Sequence, residues 1–314
     1  MLRSSWIRCS VNSESAALHR IACGDARSLL NELSLKKKNR GTEDLDFLRG
    51  MCFLSMRDPL HARQCFLEQL RQNKNHAEAR ARLGELNAIL HEVLQPPKHL
   101  GLEDEFLMLF DALMDHTMLT WSRMYSLYSR TREILRADIP GDFVECGVAG
   151  GGSVVLMATL VRLYTQRKRF VFACDSFIGM PEPGHQDSLC GTSGSQKAHA
   201  AETHWGAGTC CGPIDHVRNL ASAFGSPVEI IAGNFSETLP SLKTSEIALL
   251  HADADWYDST KIVVQELWPK VARGGVMQVD DFFYWHGCQK AVEECLPGIR
   301  YEPIDGNAVL FTKR

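Results

Sequence analysis

No stretch of this chain of 314 residues stays apolar long enough to span a bilayer, which takes ~20 residues. The longest apolar runs, such as Gly151–Val161 and Ile247–Leu250, stop far short, so a membrane protein is not expected. The chain has no Cys-x-x-Cys pair among its 11 cysteines, which excludes a zinc knuckle and a thioredoxin-type motif. An odd cysteine count in a long chain, with Cys210 and Cys211 adjacent, reads as reduced thiols and a cytoplasmic location. There is little net charge: −4 at pH 7 gives no electrostatic reason to expect nucleic acid. The first residues, up to His19, carry two arginines but no apolar core of a secretory signal, leaving only a transit peptide as an alternative. A dinucleotide fingerprint is missing as well, because Ala149 stands where Gly-x-Gly-x-x-Gly needs its second glycine. What is present is ordinary: 45% hydrophobic and 23% charged residues, the composition of a folded globular chain.

Pro96-Pro97 divides the chain, since two prolines stop a helical pattern. Residues 1–97 read as an α-helical domain, with helices over Asp44–Met56, Leu60–Arg71 and His76–Leu94 and a basic loop at Lys36–Arg40. Gly50 and Gly84 recur at a 34-residue spacing, and Ala62 and Phe66 follow Gly50 at the offsets where tetratricopeptide repeats place a small residue and an aromatic. An ordinary helical bundle is the alternative. Residues 98–314 alternate strands and helices, which predicts a mostly parallel α/β sheet with a terminal β-hairpin around Asp305-Gly306-Asn307. Ligands on such sheets sit at the carboxyl ends of the strands.

The polar clusters fall at those ends. Glu145, Gly147, Gly151 and Ser153 form a glycine-rich turn between a strand and a helix, where backbone N–H groups are free for a ligand. An acid two residues before the first glycine is typical of the S-adenosylmethionine loop of methyltransferases. Asp175, followed by Ser176, ends the next strand, where a carboxylate can accept both hydroxyls of a ribose. Asn234 and Phe235 follow a third strand, at the place where an adenine ring could be sandwiched. Asp253 and Asp255 follow one central strand and Asp280-Asp281 its neighbour, so four carboxylates should share one crevice. If the strand geometry continues, Asp253 and Asp255 point to one face. Crowded carboxylates at neutral pH need raised pKa values or a cation, and an all-oxygen donor set suits Mg²⁺. His251 reads as packed rather than ligating.

Five ordered motifs resemble the macrocin O-methyltransferase family: Asp175–Pro183, Trp205–Cys210, Gly233–Pro240, His251–Lys261 and Gly274–Asp281, over about Thr117 to the C-terminus. The resemblance implies a class I (Rossmann-like) methyltransferase fold. It also implies Mg²⁺-dependent methyl transfer from S-adenosylmethionine to a hydroxyl of a small molecule, commonly a natural-product sugar. Carried over by position, Asp253, Asp280 and Asp281 hold the metal and Asp255 is the general base. Two departures stand out: Ala149-Gly150 replaces an aromatic and a basic residue, and Phe283 replaces a glycine. The N-terminal helices lie outside the resemblance and offer a surface for a protein partner or self-association. The insert Pro181–Pro213, rich in Gly, Ser and His, reads as a lid. An NAD-type oxidoreductase would also use Asp175, and a non-catalytic interaction protein would use only the repeats. The four aspartates speak against both, because neither needs them.

Overall fold

The computed structural model describes residues 14–38, 44–190, 198–200 and 203–314. They form two compact units, Met1–His91 and Glu92–Arg314. This division falls inside a helix, upstream of Pro96-Pro97, because the helix runs on through Leu94 before the prolines end it.

The first unit is helical: α1 (Glu14–Ala22), α2 (Ala26–Lys38), α3 (Leu45–Ser55), α4 (Pro59–Gln72) and α5, which starts in this unit and spans Ala77–Leu94. Asp58 caps α4 by accepting from the His61 amide at 3.2 Å, and Pro59 occupies the first helical position, where its missing N–H costs nothing. Gly50 of α3 lies against the Phe66 ring of α4, so close that a Cβ would come within 2.5 Å of it. Gly84 meets open space, so the 34-residue spacing carries no second copy of that contact. Lys36–Lys38 is not loop but the last turn of α2; Asn39 and Arg40 lie outside the described residues. Lys37 is buried there, bonded to Asp46 at 2.6 Å and to Glu68, while Arg49 reaches Asp46 at 2.9 Å.

The second unit opens with α6 (Asp104–Leu113) and α7 (Trp121–Arg136) and then alternates. Its elements are β1 (Asp142–Cys146), α8 (Gly152–Tyr164), β2 (Val171–Asp175), α9 (Ile214–Ala223), β3 (Glu229–Ala232), α10 (Phe235–Thr238), β4 (Ile247–Ala252), α11 (Tyr257–Leu267), β5 (Val271–Val279), α12 (His286–Cys295), β6 (Glu302–Pro303) and β7 (Val309–Thr312). The seven strands run in the order β3-β2-β1-β4-β5-β7-β6; the first five are parallel, and β7 is antiparallel to both neighbours. The expected sheet and closing hairpin are therefore both present.

The central strands are apolar on both faces, as a sheet covered by helices requires. Phe143, Leu249 and Val276 face one core, while Val144, Leu250 and Met277 face the other. Strand order reverses between β1 and β4, which opens a crevice at their carboxyl ends, the usual ligand position in an open α/β sheet. No helix among the described residues is long and apolar enough to cross a membrane.

Candidate active site

The crevice is floored by the β1–α8 turn. Gly147 has φ +91°, and a Cβ there would lie 1.8 Å from the Asp253 carbonyl oxygen, so only glycine lets the two loops touch. Gly151 has φ +87° and abuts Val217 of α9, leaving the first turn of α8 to begin at Gly152. Gly212, near the end of the insert, packs against the Ala149 carbonyl just as tightly. The departure at Ala149-Gly150 is thus a place of backbone contact.

Asp175 does not stand free at the end of β2. Its Oδ2 accepts from the amides of Val148 at 2.7 Å and Ala149 at 3.2 Å, and its Oδ1 from Phe177 at 2.7 Å and the Ser176 hydroxyl at 3.5 Å. It ties the glycine turn to β2. Burial pushes its pKa up, against those backbone donors. Asn234 is exposed and caps α10 through the Ser236 amide at 3.3 Å, and Phe235 beside it is half-buried.

Glu145 and Ser153 are buried beneath the turn rather than open to a ligand, and the serine hydroxyl donates to Glu145. His251 bonds Glu145 through Nδ1 at 2.8 Å and Asp280 through Nε2 at 3.0 Å. Asp280 also receives the Gln278 amide at 3.0 Å and, on its other oxygen, Arg123 at 3.2 Å. Arg123 reaches on to Asp305 at 2.8 Å, and Asp305 in turn accepts the amides of Asn307 and Ala308, each at 2.8 Å, in the β6–β7 turn.

Asp253 and Asp281 flank this chain of bonds with Asp255. The three carboxylates offer oxygens that all lie within 4.8 Å of one another; His251, Asp253 and Asp280 form a second such group. Strand geometry does not bring Asp253 and Asp255 together as expected, because β4 ends at Ala252 and Asp255 has φ +54°. A tight turn, with the Trp256 amide bonded to the Ala254 carbonyl at 2.6 Å, folds Asp255 back, and the Trp285 indole N–H fixes it at 3.2 Å.

Burial first, and then the neighbouring carboxylates, push the pKa values of Asp253 and Asp255 well above the ordinary range and raise that of Asp281. Asp280 goes the other way: although burial opposes its charge, Arg123 and His251 hold it down to about 2. Arg123 and His251 both bond Asp280, and the charge of Arg123 also favours the ionised form of Asp281; among the described residues Asp253, Asp255 and Asp281 have no ion pair. A half-buried, all-oxygen set with no ion pair of its own fits a hard divalent cation.

The sequence reading missed Arg123, Asp305 and Trp285, and it took His251 for a packing residue. A histidine inside an otherwise apolar strand is a signal in itself, since a buried imidazole must find partners. The insert falls partly outside the described residues, at 191–197 and 201–202. Its described parts are held down: Asp187 accepts the Tyr257 amide at 2.8 Å, and the Trp256 indole donates to the Pro181 carbonyl at 2.9 Å. Phe283 is half-buried, edge-on to Phe282 and Tyr301.

A doubly wound sheet with a glycine turn at the switch point and an acidic crevice beside it is the architecture of the class I methyltransferase fold. Comparison with known proteins gives the family. The model described as macrocin O-methyltransferase (TylF) matches residues 55–305, so the match starts well upstream of Thr117 and takes in helices that the sequence resemblance left out. A tetracenomycin-C 4'-O-methyltransferase, acting on the 8-demethyl-8-(2,3-dimethoxy-alpha-L-rhamnosyl) form, from Streptomyces olivaceus is 31% identical over 186 residues, which cover 57% of this chain and 67% of that protein. Demethyldecarbamoylnovobiocin O-methyltransferase from Streptomyces niveus is 31% identical over 182 residues, with the same shares. The solved structure of the O-methyltransferase NovP superposes with a TM-score of 0.55 at 29% identity, over 63% of this chain and 82% of that one. The calicheamicin methyltransferase CalS11, at 20% identity and a TM-score of 0.51, shares the fold. The chain belongs to the macrocin O-methyltransferase family and is an S-adenosylmethionine-dependent O-methyltransferase. That removes the oxidoreductase and the non-catalytic alternatives.

Proposed function

We propose that the enzyme methylates a hydroxyl of a natural-product sugar, with a divalent cation, Mg²⁺ being the natural one, held by Asp253, Asp280 and Asp281. The observation that carries this reading is the convergence of four carboxylates, Asp280 buried and the others half-buried, at the ends of β4 and β5. Asp280 accepts three donors, and a carboxylate has about four lone-pair sites, so one remains for a cation while Arg123 and His251 fix its orientation. Relatives named for O-methylation of a rhamnosyl-tetracenomycin and, at the 3'' position, of mycinamicin III support the acceptor class.

Bound S-adenosylmethionine supplies a methyl group on a sulfonium, an electrophile that needs no further activation. A cation in the carboxylate cage would lower the pKa of the acceptor hydroxyl. The protein's own part is positioning and proton removal. Glu145, Gly147, Gly151 and Ser153 shape the cofactor turn, Asp175 and Ser176 brace it, and Asn234 and Phe235 border the place for the adenine. Asp255, held at Oδ1 by Trp285, takes the hydroxyl proton. In-line placement supplies much of the remaining rate. The free cysteines support a cytoplasmic setting. The N-terminal helices, with their tetratricopeptide-like contact at Gly50 and Phe66, would serve a protein partner or self-association.

The test is a methyl-transfer screen over glycosylated natural products and their free sugars, with Mg²⁺ present. Transfer to a sugar hydroxyl is the expected result. Transfer confined to phenolic or carboxylate acceptors would overturn the acceptor class.

A further inference from the structure

A row of polar side chains crosses the middle of an otherwise apolar sheet. Glu145 of β1 is paired in register with His251 of β4, and His251 with Gln278 of β5, so the three stand side by side on adjacent parallel strands. Each is fully or almost fully buried. Strand alternation puts them on the face that carries Phe143, Leu249 and Val276 one pleat earlier, the face covered by α7 and α8. From that side Ser153 of α8 donates to Glu145, and Arg123 of α7 donates to Asp280.

Such a row costs stability unless it is bonded, and bonds run from Glu145 through His251 and Asp280 to Gln278. His251 has no nitrogen to spare: one faces the acid below the glycine turn, the other the aspartate of the carboxylate cage. Gln278 meets the same oxygen of Asp280. The Glu145 Oε2 and the Gln278 Oε1 are buried without a hydrogen-bond partner among the described residues, so Glu145 is held through Oε1 alone, by His251 and Ser153. A shift of Asp280 toward a ligand must pull on His251, and through it on Glu145, which lies two residues before Gly147.

We infer that the Glu145–His251–Gln278 row is a positioning element that couples cofactor binding at the Gly147–Gly152 turn to cation binding at Asp280. His251 acts through the residues at its two ends and touches neither ligand. The coupling is reciprocal: the cation tightens the cofactor by the same factor by which the cofactor tightens the cation. The inference rests on the cation assignment made above.

Calorimetry on the full chain tests it, with S-adenosylhomocysteine as a non-reacting cofactor probe, titrated in excess Mg²⁺ and in EDTA. The wild-type protein should bind the probe about fivefold or more tightly with Mg²⁺, the lower end of ordinary coupling. In His251→Gln, which cannot hold both carboxylates, that ratio should fall to about twofold or less while each ligand alone still binds. Glu145→Ala, which removes the acceptor of the His251 Nδ1 bond, serves as the second variant should His251→Gln fail to fold, and the same collapse of the ratio is expected. A histidine that only supports the fold would lower the melting temperature, or weaken both ligands in proportion, and leave the ratio unchanged. That outcome overturns the inference, as does a wild-type ratio near one. Absence of any Mg²⁺ binding to the wild-type protein would overturn the cation assignment instead, and the coupling with it.

Discussion

Gly147→Ala should disable the enzyme through two costs that the structure separates. The residue has φ +91°, a conformation that costs an L-residue about 1–2 kcal/mol. Beyond that, the new methyl carbon would sit 1.8 Å from the Asp253 carbonyl oxygen. Close carbon–oxygen contacts begin near ~3.3 Å, so the two loops must part by roughly 1.5 Å. The parting separates the cofactor turn from the first carboxylate of the cage. A misplacement of ~1 Å at reacting groups can cost ~100-fold, so kcat/KM should fall at least that far. Gly225→Ala is the control: its φ is +60° but a Cβ there meets nothing, so it carries only the conformational cost. That control should lose about 2–4 °C of melting temperature per kcal/mol and keep its kcat/KM. Steady-state kinetics and thermal unfolding of both variants decide the matter. If Gly147→Ala keeps kcat/KM within about threefold of wild type, the close approach of the two loops does not matter for catalysis and the reasoning fails.

Asp255→Asn should lower kcat by ~10²–10⁴ while sparing Mg²⁺ and S-adenosylhomocysteine affinity, both read by calorimetry; lost Mg²⁺ affinity would make it a ligand instead. Asp175→Ala removes the acceptor for three backbone amides, so cofactor affinity should drop and amide exchange at Val148 and Ala149 should speed up; unchanged exchange would refute the bracing role. In the N-terminal unit, Lys37→Met leaves Asp46 and Glu68 buried with a cation removed and should cost about 3–5 kcal/mol in denaturant unfolding. Asp46 is the acid-sensitive group there: burial opposes its charge, yet Lys37 and Arg49 hold its pKa below the ordinary value. Its stabilisation is therefore complete above about pH 4 and is lost as pH falls through the lower, folded-state pKa, so thermal unfolding at pH 6 and pH 3 should differ less in Asp46→Asn than in wild type.

Much of the fold was legible because the central strands of the second unit, β1, β2, β4 and β5, are short, largely apolar runs. Phe143, Leu249 and Val276 announced buried parallel strands without any knowledge of their neighbours. The carboxylates were legible too, since Asp253, Asp255, Asp280 and Asp281 crowd two strand ends. How they meet was not. A two-residue spacing suggests a continued strand, but the left-handed φ of Asp255 is set by the turn at Ala254–Trp256 and by Trp285, distant in sequence. Asp175 looked like an open ribose acceptor because sequence shows that an aspartate ends β2, not that amides of the β1–α8 turn bond to it. Arg123 and His251 escaped for the same reason. Their partners lie on other elements, and only strand register and helix docking bring them together. At the N-terminus, the spacing of Gly50 and Gly84 was visible, but only Gly50 faces an aromatic ring.

The proposed function requires that the aspartates at the ends of β4 and β5 hold a cation needed for O-methylation. Its most direct measurement is transfer of a labelled methyl group from S-adenosylmethionine to a hydroxylated acceptor, after EDTA treatment and again after Mg²⁺ is restored, in wild type and in Asp281→Asn. EDTA should abolish transfer, Mg²⁺ should restore it in wild type, and Asp281→Asn should need at least about tenfold more Mg²⁺ for half-maximal rate, an effect of one lost charged ligand. Full activity in EDTA, or an unchanged Mg²⁺ requirement in the variant, would contradict it.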